Sequence, residues 1–228
     1  MENNKKTPIV VLISGSGSNL QAIIDKINSS ELQNVDIEAV ISNKADAFGL
    51  ERAKKAGIST EVFSFKDFQN RAECVQIRQN EADENRAKEI MRQRYCFELA
   101  VLVNKYNPEL VVLAGWMLVL KDEFLKVFPN RVINLHPALI PAFPGTHGIK
   151  QAFDFGAKVT GVTVHFVTDE GVDTGPVILQ EPVRIEESDT EESLEAKIHA
   201  VEHHILPKAI KLFAEGRIRV EGRKVKIL

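Results

Sequence analysis

Apolar runs and helical repeats alternate along most of the chain, and this alternation predicts its secondary structure. Residues 9–13 form an unbroken run of β-branched and aliphatic side chains, typical of a strand buried on both faces. Apolar positions then recur at Leu20, Ile23, Ile24 and Ile27, which is the spacing of a helix. The same reasoning predicts strands at 35–42, 58–63, 110–114, 160–167 and 177–179, and helices at 148–155 and at 48–56, with Gly57 at the C′ position.

This order of elements sets the expected fold class. Because strands and helices alternate, the sequence predicts an α/β fold with a mainly parallel, twisted sheet, helices on both faces and right-handed crossovers. The strand, glycine turn and helix at the start of the chain give the N-terminal half a Rossmann-like character.

Three later segments are less regular. Residues 68–106 carry neither glycine nor proline and have charges of both signs, so they are predicted to form one long, largely solvated helix or two helices. A further helix is predicted to start at Thr190 or Ser193, and Pro207 is expected to interrupt or bend it. The basic tail, residues 216–228, is predicted to form a short terminal hairpin.

Length and composition narrow the class of protein. A chain of 228 residues fits one large α/β domain or two intimately packed halves. The formal net charge of -3 disfavours nucleic-acid binding through a general electrostatic footprint. Cys74 and Cys96 are too few for a disulfide framework and lack metal-ligand spacing, which suits a reducing cytosol.

Two further features bear on location. The polar opening MENNKK has no apolar segment like that of a signal peptide, so we expect no secretory leader. The longest apolar run, residues 110–120, has 11 residues. A membrane-spanning helix needs roughly 20, so we expect no membrane segment.

The first strand runs directly into a glycine turn, Ser14 to Asn19, before the helix. Such a turn presents backbone N–H groups and the positive end of a helix dipole, which is a site for a phosphate, with Ser18 or Asn19 as the expected N-cap. A dinucleotide-binding fingerprint would need glycine at position 20, where this chain has Leu20. A Walker loop would need a Gly-Lys pair, which this turn lacks. A monophosphate is therefore favoured over NAD or ATP, and a merely structural turn remains the alternative.

A second polar group stands at the exit of a later strand. Val132 and Ile133 lead into Asn134 and His136, and Pro137 ends the strand because it cannot donate the next ladder hydrogen bond. Side chains two residues apart face the same side of a strand, so the carboxamide and the imidazole are predicted to meet. Ligands of open α/β sheets bind at the carboxyl ends of strands. The alternative is a hydrogen-bonded asparagine and a satisfied histidine at a turn.

Two more segments carry candidate chemistry. The acidic, glycine-rich loop 168–176 can place a carboxylate flexibly, although aspartate in such turns more often caps its own backbone. His199 and His203 are spaced i, i+4 on the predicted helix but lack an acidic or cysteine partner at ligand spacing. A solvated or core-facing helix face is therefore favoured over a metal site.

Taken together, several motifs resemble a known family. The segments LISGSGSNLQAII, SNKADAFGLERAKKAGI, LAGWM, INLHPALIPAFPGTH and VHFVTDEGVDTGPVILQ are similar to those of the phosphoribosylglycinamide formyltransferases, folate-dependent enzymes of purine synthesis. The resemblance covers nearly the whole chain apart from residues 74–97. It implies the formyltransferase fold in one domain, 1–228, with a phosphate-binding half at about 7–110 and a catalytic, folate-binding half at about 111–228.

The resemblance also implies an activity. A formyl group would move from 10-formyltetrahydrofolate, a co-substrate, to the amine of 5'-phosphoribosylglycinamide in de novo purine biosynthesis, in the cytoplasm and without a metal. The substrate amine is the nucleophile. Asn134 and a cationic His136 would stabilise the tetrahedral oxyanion, while Asp173 favours the imidazolium and helps to relay the proton. The partners are these two small molecules, with no nucleic acid and no membrane, and a homodimer is left open.

The family's site residues map onto named positions of this chain. The catalytic trio falls on Asn134, His136 and Asp173, and the substrate contacts fall on Gly17, Ser18, Asn19 and Glu202. The folate contacts fall on Arg71, Met117, Leu118, Val119, Leu120, Asn134, Thr168, Asp169, Glu170 and Asp173.

The chain departs from the family at two places. Leu118 stands where many relatives have arginine, so a side-chain contact is lost there while backbone contacts to the pterin remain. The helical stretch 74–97 is longer than expected, which affects the placement of Arg71. The resemblance also implies a cis bond before Pro141.

Three other classes of protein share some of these features. A formyltetrahydrofolate hydrolase would use water in place of the amine, and such relatives usually carry an N-terminal regulatory domain, for which we expect no room before Ile9. A methionyl-tRNA formyltransferase would need an added RNA-binding domain and a basic surface. A non-enzymatic nucleotide-binding module would explain the glycine turn but would give Asn134, His136 and Asp173 no common purpose.

Overall fold

The computed structural model describes residues 6–228; residues 1–5, most of the opening in which no leader is expected, lie outside the described part. The strands are β1 (Thr7–Ile13), β2 (Val35–Ser42), β3 (Ser59–Val62), β4 (Leu110–Leu113), β5 (Val132–His136), β6 (Val159–Phe166), β7 (Val177–Arg184), β8 (Ile218–Glu221) and β9 (Lys224–Ile227). The helices are α1 (Ser18–Asn28), α2 (Phe48–Lys55), α3 (Phe65–Gln69), α4 (Ala72–Asn80), α5 (Glu84–Asn104), α6 (Asp122–Leu125), α7 (Gly148–Phe155) and α8 (Glu191–Ala214).

Seven of the strands in the described chain form one sheet, in the order β3-β2-β1-β4-β5-β6-β7. The strands from β3 to β5 pair in parallel, whereas β6 and β7 are antiparallel to their neighbours. The prediction of a mainly parallel sheet is therefore confirmed. The crossover rule does not extend to β6 and β7, which are joined by the loop 167–176 without a helix.

The alternation of side chains along β1 explains the layers on either side of the sheet. Ile9 and Val11 pack in the hydrophobic cluster that includes α1, α2 and α8, while Val10 and Leu12 pack in the cluster that includes α5 and α6. Helices on both faces are thus confirmed, and each face has its own core.

The segment 68–106 is only partly as predicted. It forms α4, α5 and the end of α3, which agrees with the expectation of two helices. The expectation of a largely solvated segment is wrong for α5, because Met91, Tyr95, Leu99 and Val103 are buried at helical spacing. Most of the charged residues lie on the opposite face of α5, and in the sequence they obscured this apolar stripe.

The helix ends and Pro207 give two corrections and one confirmation. Helix α1 has Gly17 as its N-cap, in the left-handed region at φ 70°, and no side-chain cap, so the prediction of Ser18 or Asn19 is wrong. Helix α8 begins after Thr190 with a capping box to Ser193, as predicted. It continues through Pro207, so the expected interruption is wrong, and the alternative of a bend stays a prediction.

The remaining local predictions agree with the structure. The tail forms the hairpin β8–β9, and the bond between Ile140 and Pro141 is cis. Within residues 6–228, none of the helices combines the length and the apolar character that a membrane span requires.

Candidate active site

A cavity of about 730 Å³ opens at the carboxyl ends of the parallel strands. Its wall contains the glycine turn 14–19 after β1, the exit of β4 at 113–120, the exit of β5 at 134–137, and residues 171–173 of the loop after β6. The sheet therefore brings together four segments that are far apart in the sequence. The three that follow parallel strands lie where the rule for open α/β sheets leads us to expect.

The side chains of Asn134 and His136 converge on Asp173. The Nδ2 atom of Asn134 donates to Oδ1 of Asp173 at 3.2 Å, and Nδ1 of His136 lies 3.3 Å from Oδ2 of the same carboxylate. The backbone N–H of Gly145 also donates to Oδ2, at 2.8 Å. Asn134 and His136 thus face the same side of β5, and the carboxylate is held from three directions.

A second buried histidine, His165, lies beside the Asn134 amide. Nδ1 of His165 donates to the carbonyl of Phe166 at 2.8 Å, and its Nε2 lies 3.3 Å from Nδ2 of Asn134 and 3.5 Å from Oδ1 of Asp173. One hydrogen of the Asn134 amide is held by Asp173, and the second remains for the imidazole or for a ligand.

Both nitrogens of His136 face acceptors. Nε2 lies 2.8 Å from the carbonyl oxygen of Phe143, and Nδ1 faces Asp173, so only the doubly protonated ring donates to both. Burial nevertheless lowers the pKa of His136 below its usual range, and the carboxylate of Asp173 and the carbonyl of Phe143 offset this only in part. His136 is therefore mainly neutral at pH 7 and is surrounded by groups that stabilise its cation.

The carboxylate of Asp173 stays ionised despite its burial. Burial raises the pKa of Asp173, but hydrogen bonds from His165 and the N–H of Gly145, together with the nearby imidazole of His136, bring it below its usual range. The carboxylate favours the cation of His136, and in the resting protein the desolvation of the ring outweighs this attraction.

The glycine turn packs closely against α2. A Cβ atom on Gly17 would lie 2.5 Å from Cα of Gly49, and φ of Gly17 is in the left-handed region. Arg52 donates from Nε to the carbonyl of Ser16 at 2.9 Å. The turn is therefore held in place by α2, and the residues at the start of α1, whose first N–H groups have no acceptor within the helix, line the cavity. An anion is the ligand that such N–H groups and the helix dipole favour.

Glu202 reaches the same cavity from α8. Its Oε2 accepts from Nδ2 of Asn19 at 3.0 Å and from Nδ1 of His199 at 2.8 Å. The hydrogen bond to Glu202 raises the pKa of His199 against the opposing effect of burial. Oδ1 of Asn19 is buried without a hydrogen-bond partner in the described chain, so a polar ligand would complete it.

Only some of the residues that are predicted to bind folate line the cavity. Residues 117–120 and Thr168 line the cavity, and the backbone N–H of Met117 donates to Oγ of Ser14 at 3.0 Å. Three predicted residues lie outside the lining: Arg71, Asp169 and Glu170.

Two of these outlying residues have partners elsewhere. Arg71 pairs with Glu98 at 2.6 Å and stacks over the ring of Phe68, and Glu170 pairs with Arg223 at 2.8 Å. The structure therefore brings Asp173 and Thr168 of the acidic loop into the cavity wall but leaves its exposed tip outside.

Sequence reasoning missed several groups in the cavity wall. His165 lies opposite Asn134 in the antiparallel register of β5 and β6, and the available signal was a single histidine in a buried strand that has no charged residue. Lys44 also lines the cavity, but no sequence pattern separates it from a surface residue. His199, which sequence reasoning considered only as a metal ligand, lines the cavity and pairs with Glu202. Across residues 6–228, no group of three or more His, Cys, Asp and Glu side chains could hold a metal.

Comparison with known proteins gives a consistent picture. A family model described as formyl transferase matches residues 7–210. The phosphoribosylglycinamide formyltransferase of Escherichia coli is 42% identical over 212 residues, which cover 93% of this chain and 89% of that protein. The crystal structure of glycinamide ribonucleotide transformylase 1 from Symbiobacterium toebii has a TM-score of 0.83 at 42% identity and covers 100% of this chain and 96% of that one.

A solved structure with a different activity is also similar. The formyltetrahydrofolate deformylase of Pseudomonas syringae has a TM-score of 0.80 at 26% identity and covers 98% of this chain and 66% of that one. The fold alone therefore does not distinguish transfer to an amine from transfer to water.

Proposed function

The chain belongs to the formyl transferase family, and on that premise we propose that Asn134, His136 and Asp173 catalyse its reaction. The protein is a formyl-group transferase that moves the formyl group of 10-formyltetrahydrofolate to the amine of 5'-phosphoribosylglycinamide in de novo purine biosynthesis. The observation that carries the assignment of residues is the meeting of amide, imidazole and carboxylate in the cavity that also contains the anion site.

The phosphoribosyl substrate binds along the N-terminal wall. Gly17, Ser18 and Asn19 receive its phosphate through the N–H groups at the start of α1, where the helix dipole favours an anion. Glu202 receives the amine, because a buried carboxylate that already accepts two hydrogen bonds is held in a fixed position.

The folate co-substrate binds along the other wall. The residues that we assign to it are Arg71, Met117, Leu118, Val119, Leu120, Asn134, Thr168, Asp169, Glu170 and Asp173. Those that line the cavity are supported by their position. Asp169 and Glu170 would contact the folate through their backbone groups, so the side chain of Glu170 stays with Arg223. Arg71 would have to leave Glu98.

The chemistry follows from the protonation states. The amine attacks the formyl carbon, and the carbonyl oxygen becomes an oxyanion that Asn134 and His136 stabilise by hydrogen bonds. His136, neutral at pH 7, takes the proton that the attacking nitrogen loses, directly or through water, and Asp173 stabilises the resulting imidazolium. The proton then passes to N10 of the folate as the bond between N10 and the formyl carbon breaks.

The organisation and location of the protein are further parts of this proposal. Residues 1–228 form a single formyltransferase domain, with a phosphate-binding half at about 7–110 and a catalytic, folate-binding half at about 111–228. The protein acts in the cytoplasm. Phe97 and Val101, which are 57% and 50% exposed on α5, offer an apolar surface for a homodimer, and light scattering would test this.

Dependence on the amine separates this function from hydrolysis. Incubated with 10-formyltetrahydrofolate alone, the protein should release tetrahydrofolate slowly, and addition of the phosphoribosyl amine should raise the rate by at least about 10²-fold. Spectroscopic detection of tetrahydrofolate, with mass analysis of the formylated amide, measures both. Equal rates with and without the amine would assign the deformylase activity instead.

Replacement of Gly17 by alanine tests the phosphate site. The added Cβ would meet the backbone of Gly49, so the turn must shift, and we expect KM for the phosphoribosyl substrate to rise about tenfold or more with a smaller change in kcat. Gly57→Ala is the matched control, because Gly57 has φ 72° but no atom within 4 Å of a Cβ. If both variants changed KM equally, backbone strain and not the anion site would explain the effect.

A further inference from the structure

The loop that carries Asp173 is anchored to the sheet at both ends, at Val167, whose N–H donates to the carbonyl of Val132 at 2.9 Å, and at Gly175. Gly175 packs against β6 so closely that a Cβ would lie 1.8 Å from the carbonyl oxygen of Phe166, and the N–H of Phe166 donates to the carbonyl of Pro176 at 2.9 Å. Asp173 itself has φ 54°, a left-handed conformation that an aspartate adopts only where its surroundings hold it. The tip of the loop at Glu170 is exposed.

One side chain of the C-terminal hairpin binds the loop on both sides of Asp173. Arg223, in the turn between β8 and β9, donates from Nη1 to Oε2 of Glu170 at 2.8 Å and from Nη2 to the carbonyl of Thr174 at 2.8 Å. The hydroxyl of Thr174 donates to the carbonyl of Gly171 at 3.1 Å. One planar guanidinium thus joins the two positions that flank Asp173 on either side, three residues before it and one residue after it.

From this geometry we propose that Arg223 is a positioning residue for the formyl transfer, which it serves by holding the Asp173 carboxylate against His136. The proposal rests on the proposed catalytic role of Asp173. A guanidinium suits the task because its donors form a rigid fork, whereas the single ammonium of a lysine would have to choose between the carboxylate and the carbonyl. Arg223 has no contact with the reacting atoms and acts only through the loop.

The exposure of the contact limits its effect. The side chains of Arg223 and Glu170 are 67% and 58% exposed, so solvent screens their attraction, and the loop keeps its anchor at Gly175. We call the two contacts of Arg223, to Glu170 and to Thr174, the clamp. Loss of the clamp should let Asp173 occupy a wider range of positions, but Asp173 should stay in the site.

Substitution of Arg223 by alanine should lower kcat about 3-fold to 10-fold, with KM for the phosphoribosyl substrate unchanged because its phosphate site stands on β1. The acid limb of the pH profile should move to lower pH, since a displaced Asp173 no longer raises the pKa of His136. Arg219→Ala is the matched control: Arg219 lies on the same hairpin and pairs with Glu221 at 3.1 Å.

A charge swap separates the two halves of the clamp. Glu170→Arg combined with Arg223→Glu restores an ion pair, but the new glutamate cannot donate to the carbonyl of Thr174, so activity should not return to that of the unsubstituted protein. Arg223→Lys should be intermediate.

The outcomes that would overturn the proposal are distinct from those that would overturn the catalytic assignment. Wild-type kcat and pH profile in Arg223→Ala, or an equal loss in Arg219→Ala, would show that the clamp does not position Asp173. If Asp173→Asn itself kept full activity, the role of Asp173 would be wrong and the clamp would have no catalytic group to hold.

Discussion

Alanine in place of His136 should lower kcat about 10²–10³-fold, with little change in KM for the phosphoribosyl substrate. The substitution removes the group that accepts the proton of the amine and one of the two donors to the oxyanion. It leaves the phosphate turn on β1 untouched, so ground-state binding should persist. Steady-state kinetics of tetrahydrofolate release with both substrates varied would measure the two parameters separately.

His204→Ala is the control for this variant. His204 is exposed on α8 and does not line the cavity, so its removal should leave kcat unchanged. Thermal unfolding of both proteins would show whether the loss of a buried ring also lowers stability. A near-normal kcat for His136→Ala, in a folded protein, would remove His136 from the mechanism.

Asparagine in place of Asp173 should lower kcat about 10²-fold or more, although the side chain keeps its shape. The neutral amide cannot stabilise the imidazolium that forms when His136 takes the proton. The carboxylate also raises the pKa of His136 against the effect of burial, so its removal should lower that pKa further. Because the neutral ring is the active base, kcat/KM is lost as pH falls through this pKa, and the acid limb should shift to lower pH.

The pH profile of Asp173→Asn therefore checks the sign of the electrostatic argument. Asp173 has a pKa below its usual range, so its own protonation does not contribute to the limb near neutral pH. Asp36→Asn, an exposed isosteric change at the opposite end of the sheet, should leave both kcat and the limb unchanged. A limb that moved to higher pH in Asp173→Asn would mean that the carboxylate does not favour the cation.

The central strands and the pairing of Asn134 with His136 could be predicted because both depend on local patterns. An unbroken apolar run is enough to identify β1, and the two-residue period of β5 is enough to place both side chains on one face. The approach of Asp173 to Asn134 could be predicted only from the family resemblance. Asp173 lies 39 residues after Asn134, in a loop whose path no local pattern indicates.

Other features could not be predicted from local patterns. Gly17 caps α1 because the turn approaches Gly49, which is distant in sequence, so the polar residues beside it were the wrong choice. His165 enters the site through the antiparallel register of β6, whereas the alternating pattern of strands and helices favoured parallel pairing. Arg71 pairs with Glu98 on α5, and these two residues lie on either side of the segment 74–97, which the resemblance does not cover.

The most direct test of the account is kcat of the double variant His136→Ala and Asp173→Asn, compared with each single variant. If the two residues act as one unit, removing the second should cost little once the first is gone, and the double variant should lose about as much as His136→Ala alone. Losses that multiply, giving about 10⁴-fold or more, would contradict the central claim, because they would show that the two groups contribute independently.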